Sequence, residues 1–226
     1  STRSHRSFLG WTRSISPSTI LSLGAGFDRV HSLITPEVNA LGPQVFGSQI
    51  ISPLNANNPI PIDRVQNSFR YAVQLKIIRG AHQMAFGAEV VRRQLNGREH
   101  DSHLGAISFF ANTFNGIAYD SMSTMRMGLP SNYFIAVGDI HRGYRNWDNQ
   151  FYAGDKYTRG RLLINYGANW RPISRPVEVN NREQVPVPTQ WSNIGPQLGL
   201  AYRLKPGWGV WRAAYAIHYG EIFPVT

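Results

Sequence analysis

Apolar and polar residues alternate with period two over several stretches of the chain. Each such stretch reads as a strand whose two faces meet different surroundings. The clearest is a hairpin near the end: a strand around Pro196 to Leu204, a turn at Lys205 to Gly209, and a strand from Val210 to Tyr219. On the second strand Trp211, Ala213, Tyr215, Ile217 and Tyr219 share one face, and Val210, Arg212, Ala214, Ala216 and His218 share the other. From Thr19 to Asp28, Leu21, Leu23, Ala25 and Phe27 oppose Ser22, Gly24, Gly26 and Asp28. From Asn67 to Arg79, Tyr71, Val73, Leu75 and Ile77 oppose Gln74 and Lys76. From Gln83 to Arg93, Met84, Phe86, Ala88 and Val90 oppose Gly87, Glu89 and Arg93; from Leu162 to Arg171, Leu162, Ile164, Tyr166, Ala168 and Trp170 oppose Asn165, Gly167, Asn169 and Arg171. The middle is less regular. Leu104 to Thr113, Tyr133 to Tyr144 and Phe151 to Tyr157 read as strands, Ser121 to Gly128 as a short helix, and Arg145 to Asn149 as a turn.

Two regularities lie above the single strand. Leu21 to Phe27, Met84 to Val90 and Ile164 to Trp170 each place four apolar side chains on one face and a glycine at the centre of the other. A central glycine weakens a soluble strand, whereas on the wet face of a barrel wall it leaves room for what fills the lumen. The connections also alternate in length. Ser16 to Ser18, Gly80-Ala81, Thr158 to Arg161 and Lys205 to Gly209 are short; Val30 to Arg64, Asn96 to His103 and Ile173 to Asn193 are long. Outer-membrane barrels show this asymmetry, with the short turns periplasmic. The fold expectation is all-β: one domain over residues 1–226, an antiparallel transmembrane β-barrel segment of about ten strands with short periplasmic turns and long extracellular loops.

Composition agrees with a wall that faces lipid. Charged residues make up 16% of the 226 residues, against roughly 25% in soluble domains. Aromatics reach 12%, with 10 Tyr and 6 Trp, as interfacial girdles require. The net charge of +10 raises nucleic acid as a partner, but the basic residues are scattered among strands and form no block. They suit a basic lumen or rim that meets anionic lipid or solute. There is no cysteine, which excludes a disulfide framework, a thiolate zinc site and a cysteine nucleophile. No signal peptide opens the chain at Ser1 to Gly10.

Several motifs resemble those of Oar-like TonB-dependent outer-membrane transporters. Arg79-Gly80-Ala81-His82-Gln83-Met84-Ala85-Phe86-Gly87-Ala88-Glu89-Val90 is similar to their RGKHxLxFGxEx hairpin, and Gly128-Leu129-Pro130 to the LLGLP element that follows it. Phe151 to Tyr157 resembles YAQDDW, and Arg161 to Gly167 resembles RLTLNxGLRYE. Asn193 to Tyr202 with Val210 to Tyr219 resembles APRxGLAY…VLRGGYGIFY. The order agrees, and the resemblance covers most of Asn67 to Phe223. Departures fall at Gly154, Lys156-Tyr157, Gln197 and Ala213-Ala214. The resemblance implies a large barrel with a plug domain that couples to a TonB complex and takes up a large or scarce solute. With no plug in the sequence, the chain reads as an interior slice of that barrel whose first and last strands have unpaired edges.

No enzymatic site stands out. Nucleophile-elbow, phosphate-loop and dinucleotide motifs are absent, and no cofactor is expected. Glu99-His100-Asp101-Ser102-His103 gathers metal-ligand types, yet two histidines at i, i+3 outside a helix specify no geometry, so a solvated polar loop is the better reading. The candidate contacts to solute are the lumen-facing Glu89, Asn165, Asn169, Arg212 and His218. Aromatics near strand ends, such as Trp147, Trp170, Trp208 and Trp211, fit girdles better than sugar-stacking platforms. Three functions follow: a TonB-dependent transport barrel in contact with outer-membrane lipid and lipopolysaccharide; a self-contained small outer-membrane barrel, passive or adhesive; or a soluble β protein binding sugar or nucleic acid.

Overall fold

The structure, a computed structural model, describes residues 1–35, 43–47, 62–99 and 105–220. In chain order its elements are β1 (Thr2–Ser16), β2 (Thr19–Ile34), β3 (Gln44–Gly47), β4 (Ile62–Arg79), β5 (His82–Glu99), β6 (Ala106–Phe109), β7 (Asn112–Phe114), β8 (Ile117–Tyr119), α1 (Ser121–Arg126), β9 (Asn132–Phe134), β10 (His141–Arg159), β11 (Leu162–Trp170), β12 (Val177–Glu178), β13 (Ile194–Arg203) and β14 (Val210–Ala216). They divide into two compact units: residues 1–3, 30–65 and 96–142, and residues 4–29, 66–95 and 143–226.

The second unit carries the main sheet, in the order β1-β2-β4-β5-β10-β11-β13-β14, with β12 paired to β10. Eight strands lie on this path, against the expected ten or so. The difference arises between residues 105 and 140, where the expected wall strands are short pieces of two separate sheets. The four short turns lie side by side: Ile78 N–H donates to Ser18 C=O, Thr158 N–H to Ala81 C=O, and Arg203 N–H to Arg161 C=O. Gly80 and Gly160 sit there with φ of 59° and 58°, a conformation that only glycine enters without strain.

Register fixes the faces. Asp155 lies opposite Tyr166, Tyr166 opposite Leu198, and Leu198 opposite Tyr215; one step along, Lys156 faces Asn165, Asn165 faces Gly199, and Gly199 faces Ala214. One side of the wall is therefore apolar and aromatic, the other amide, small or charged. The polar side is stitched together by Arg6–Asp28, Arg70–Glu89 (3.2 Å), Thr12–Ser22 (3.2 Å) and Gln74–Tyr152 (2.5 Å). The apolar side is bare: Leu23, Tyr71, Val73, Phe86, Leu198 and Trp211 are all exposed. Among the described residues only Val91, Tyr144 and Ile173 in this unit, and Phe109 in the other, are large apolar side chains that are buried. A water-soluble sandwich would bury one face of such strands in a core; here, among the described residues, the large apolar side chains named above on the apolar side stay exposed.

The central glycines are covered. A methyl group on Gly87 would sit 2.3 Å from the Tyr152 ring, and one on Gly24 would sit 3.1 Å from the Phe8 ring. At Gly167 the obstacle is backbone, 2.6 Å to the Ala153 carbonyl oxygen. The space expected for lumen contents is thus occupied, at these points, by aromatic rings and backbone of neighbouring strands, as in aromatic rescue of sheet glycines. Gly87→Ala is expected to displace the Tyr152 ring and break its bond from Gln74, lowering stability by about 1–3 kcal/mol; denaturant unfolding in micelles measures it.

Strand ends differ from expectation for physical reasons. Arg145 to Asn149 is not a turn but lies within β10. There the strand has outrun the alternating pattern: Tyr144, Asn146 and Asp148 are buried beneath the segment after β11, with Ile173 bridging Asp148 and Gln190. β1 extends to Thr2 and β5 to Glu99, polar stretches with no alternation to mark them. β14 stops at Ala216 rather than Tyr219, because Ile217 N–H donates to Pro196 C=O (3.1 Å) and Pro196 has no N–H to return.

The first unit is small. β3 pairs parallel with β6, β6 antiparallel with β9, and β7 with β8 across an Asn115-Gly116 turn whose φ values are both positive, as a type I′ hairpin requires. The helix α1 begins where Asp120 accepts from Ser123 N–H (2.6 Å), and the chain leaves it at Gly128, φ 67°. Its hydroxyls hold it to the strand: Ser121 donates to Phe109 C=O (2.7 Å). Residues 100–103 of the metal-ligand reading lie outside the described residues, as does the Glu99 side chain. Most of the expected loop from Val30 to Arg64 does as well, although β2 reaches Ile34 and β4 begins at Ile62.

Candidate functional site

On the polar face, β5, β10, β11, β13 and β14 enclose a groove of about 490 Å³. Tyr152, Lys156, Asn165, Asn169, Gln83 and Gln197 line it. The register builds it in rungs. Tyr152 stands beside Asn169, Gly154 beside Gly167 and Gln197, and Lys156 beside Asn165 and Gly199. Glycines at 154, 167 and 199 keep the floor low, so the amides and the lysine stand above it. The Asn169 Oδ1 is buried and has no hydrogen-bond partner. A buried amide oxygen without a donor carries a desolvation penalty until one arrives. Amides present both donors and acceptors, so this surface suits a hydroxyl- or peptide-rich solute, with Lys156 adding preference for negative charge.

The candidate residues separate here. Asn165 and Asn169 line the groove. Glu89 is on the same face but is engaged by Arg70, and Arg212 stands exposed opposite Ala201 near the short-turn end. His218 lies beyond the end of β14, exposed. The structure therefore brings two of the five together. Tyr152, Lys156, Gln83 and Gln197 join them. Their signal in the sequence was parity: each occupies a polar-face position on its strand.

Beyond the groove, at the end with the long connections, Phe151 and Trp170 stack with ring centroids 5.3 Å apart. Leu162 to Trp170 spans the nine residues of β11, the length of a membrane-crossing strand, so this ring pair marks the outer interface. Asp148, Arg93 and Arg171 lie past it. Asp148 accepts from Arg171 Nε and Nη2 (3.0 and 2.9 Å) and from Arg93 Nη2 (3.1 Å), and all three side chains are largely buried. Burial alone would raise the Asp148 carboxyl; the bonds and charges of Arg171 and then Arg93 outweigh it and hold it below the usual carboxylate range. Glu178 is buried nearby in sequence to this rim. Its carboxylate accepts from the backbone N–H groups of Arg182 (2.9 Å), Gly143 (3.1 Å) and Asn180 (2.9 Å). Despite the opposing effect of burial, these donors, Arg182 first, keep it ionised below the ordinary range. Outward from the rim, the Arg92 guanidinium lies 4.9 Å above the Trp147 ring.

An antiparallel wall with one bare apolar face, one polar face and aromatics near its ends is that of an outer-membrane β-barrel. No helix among the described residues is long and apolar enough to cross a membrane, and the crossing elements are strands. The family model for the outer membrane beta barrel domain matches residues 1–188, and the chain belongs to that family. Its place is the outer membrane. No curated protein and no solved structure matches the chain.

Proposed function

We propose that this chain forms barrel wall of an Oar-like TonB-dependent transporter that takes up a large or scarce polar solute. The observation that carries the reading is the amide-lined groove on the lumen face, with Asn169 Oδ1 unpartnered and Lys156 standing beside Asn165 further along it. The resemblance of the ordered motifs from Arg79 to Tyr219, and the alternation of short turns with long connections, support it. In this reading the wall is no enzyme and needs no cofactor. The long connections capture solute, the lumen amides hold it, and a plug domain driven by the TonB complex gates passage. Lipopolysaccharide and phospholipid surround the apolar face, and nucleic acid is no partner.

The test compares cells that carry the gene with cells deleted for it, measuring uptake of labelled oligosaccharides and oligopeptides with and without a protonophore. Uptake lost on deletion and also lost with the protonophore is the expected result. Uptake that persists without the proton gradient overturns energised transport in favour of a small passive barrel. Lys156→Glu is expected to reduce uptake of anionic solutes several-fold while sparing neutral ones.

A further inference from the structure

On the lumen side of the main sheet, arginines and acids come matched over most of its width. Arg6 pairs with Asp28, Arg70 with Glu89 (3.2 Å), and Arg93 and Arg171 share Asp148 (3.1 and 2.9 Å). The corner where β11, β13 and β14 meet the short turns is different. Arg203 continues the lumen parity of Gly199 and Ala201, and Arg212 lies opposite Ala201 with the parity of Ala214. Arg161, in the tight turn before β11, accepts at its carbonyl from Arg203 N–H (2.9 Å), one step beyond the Leu162–Tyr202 pair. The register therefore sets Arg161 beside Arg203, and Arg212 diagonal to Arg203. All three residues are exposed, and among the described residues none of the three guanidiniums has a hydrogen bond or ion pair.

The sequence leaves this charge uncompensated. No Asp or Glu occurs from Lys156 to Val177, or from Ile194 to Gly220. Like charges set opposite one another on neighbouring strands are destabilising, so the corner carries a strain that an anion would relieve. A guanidinium presents its N–H donors in a planar fork that fits phosphate oxygens two at a time. Neighbouring strands lie about 5 Å apart, which lets three forks converge on one tetrahedral anion. A carboxylate has two oxygens and satisfies one fork; a phosphate monoester has three terminal oxygens and up to two charges. Position adds direction. Lys156, Asn165, Gly199 and Ala214 form the turn-side row of the amide groove; Arg212 is one lumen-facing step past Ala214, and Arg203 two past Gly199. The corner thus lies where the groove opens toward the short turns, the periplasmic end of a barrel.

We propose that Arg161, Arg203 and Arg212 form a phosphate site at the periplasmic end of the lumen, which receives a soluble phosphate-bearing solute as it leaves the amide groove. The site rests on the lumen assignment of this face and not on energised transport, so a passive barrel would carry it equally.

The experiment is urea unfolding of the full chain in uncharged detergent micelles, with glycerol phosphate, acetate or sodium chloride added at equal ionic strength. Glycerol phosphate alone is expected to raise the midpoint, because a ligand held only by the folded chain stabilises it. Titration followed by phosphorus NMR then gives the affinity. Arg203→Gln should weaken it about tenfold, the loss of one charge-assisted hydrogen bond. Arg159→Gln removes the same charge two residues from Arg161, on the lipid-side parity of Asp155 and Tyr157, and should leave the affinity unchanged. Arg203→Gln also removes a like-charged neighbour, so its midpoint without phosphate should not fall. Equal midpoints in the three salts overturn the site on the wild-type chain alone, whether or not a variant folds. Equal weakening by Arg159→Gln would reduce the effect to net charge and overturn it as well. A response to phosphatidylglycerol added to the micelle, with none to glycerol phosphate, would put a lipid headgroup at the corner and overturn the solute.

Discussion

Replacing Asp148 by alanine is expected to destabilise the folded wall by about 3–5 kcal/mol, the cost of breaking a buried ion pair by removing one partner. The carboxylate is shared by Arg171 from the end of β11 and Arg93 from β5, and it is the anion common to both. Its loss leaves two largely buried guanidiniums to repel one another at the outer rim. Asp148→Asn keeps the shape and some of the bonds but not the charge, and falls between. The same pair sets an acid limit. The folded carboxyl titrates below its unfolded value of about 3.9. Its contribution is therefore complete above that value, and is lost as pH falls from about 4 through the depressed folded value. Urea midpoints in micelles at pH 7, 5, 4 and 3 measure this. The wild-type chain should lose stability over the lower steps, and Asp148→Ala should lose less. A variant whose midpoint tracks the wild type at every pH would remove Asp148 from the account.

Val73→Arg is the second large effect. Val73 is 39% exposed on the apolar face of β4, six residues before the end of that strand at Arg79. With ten or so residues needed to cross, it stands near mid-membrane. A charge there costs about 2–4 kcal/mol, whereas near the interfaces the cost falls to about 0–1 kcal/mol. Neighbouring positions on β4 carry Arg70 and Lys76 on the other side, so the strand itself accepts cations; what it rejects is the direction. Asn165→Arg, facing the lumen groove, is the control and should fold with little loss. Folding yield into lipid vesicles, read by the heat-dependent shift in gel mobility, distinguishes the two. Equal yields would mean that the apolar face of β4 is not in lipid.

Much of the wall was legible because lipid writes its mark on every second residue. Leu21 to Phe27, Tyr71 to Ile77, Met84 to Val90 and Ile164 to Trp170 were placed by that mark, as were the short turns between them. It vanishes where a strand leaves the membrane. Arg145 to Asn149 continues β10 under a cover of loop rather than lipid, with polar side chains on both faces, and so reads as a turn in the sequence. The short strands between Ala106 and Phe134 have three or four residues each, too few for any period to show. For the lumen groove, parity put Asn165 and Asn169 on the inner face, but only register sets Tyr152 beside Asn169 and Lys156 beside Asn165. Sequence alone does not number one strand against the next.

The side-by-side short turns have an evolutionary consequence. Each is tied to its neighbour by a backbone hydrogen bond, from Ile78 to Ser18, Thr158 to Ala81 and Arg203 to Arg161. An inserted residue there would shift the register of two hairpins at once and turn lipid-facing side chains inward. At the opposite end closing a longer loop adds only about 0.6 kcal/mol per doubling, although the segment between β11 and β13 is itself anchored to β10 through β12 and Ile173. Descendants of this chain are free to diversify at one end only. Insertions and deletions should accumulate between β2 and β4, β5 and β10, and β11 and β13, while the four tight turns keep their length.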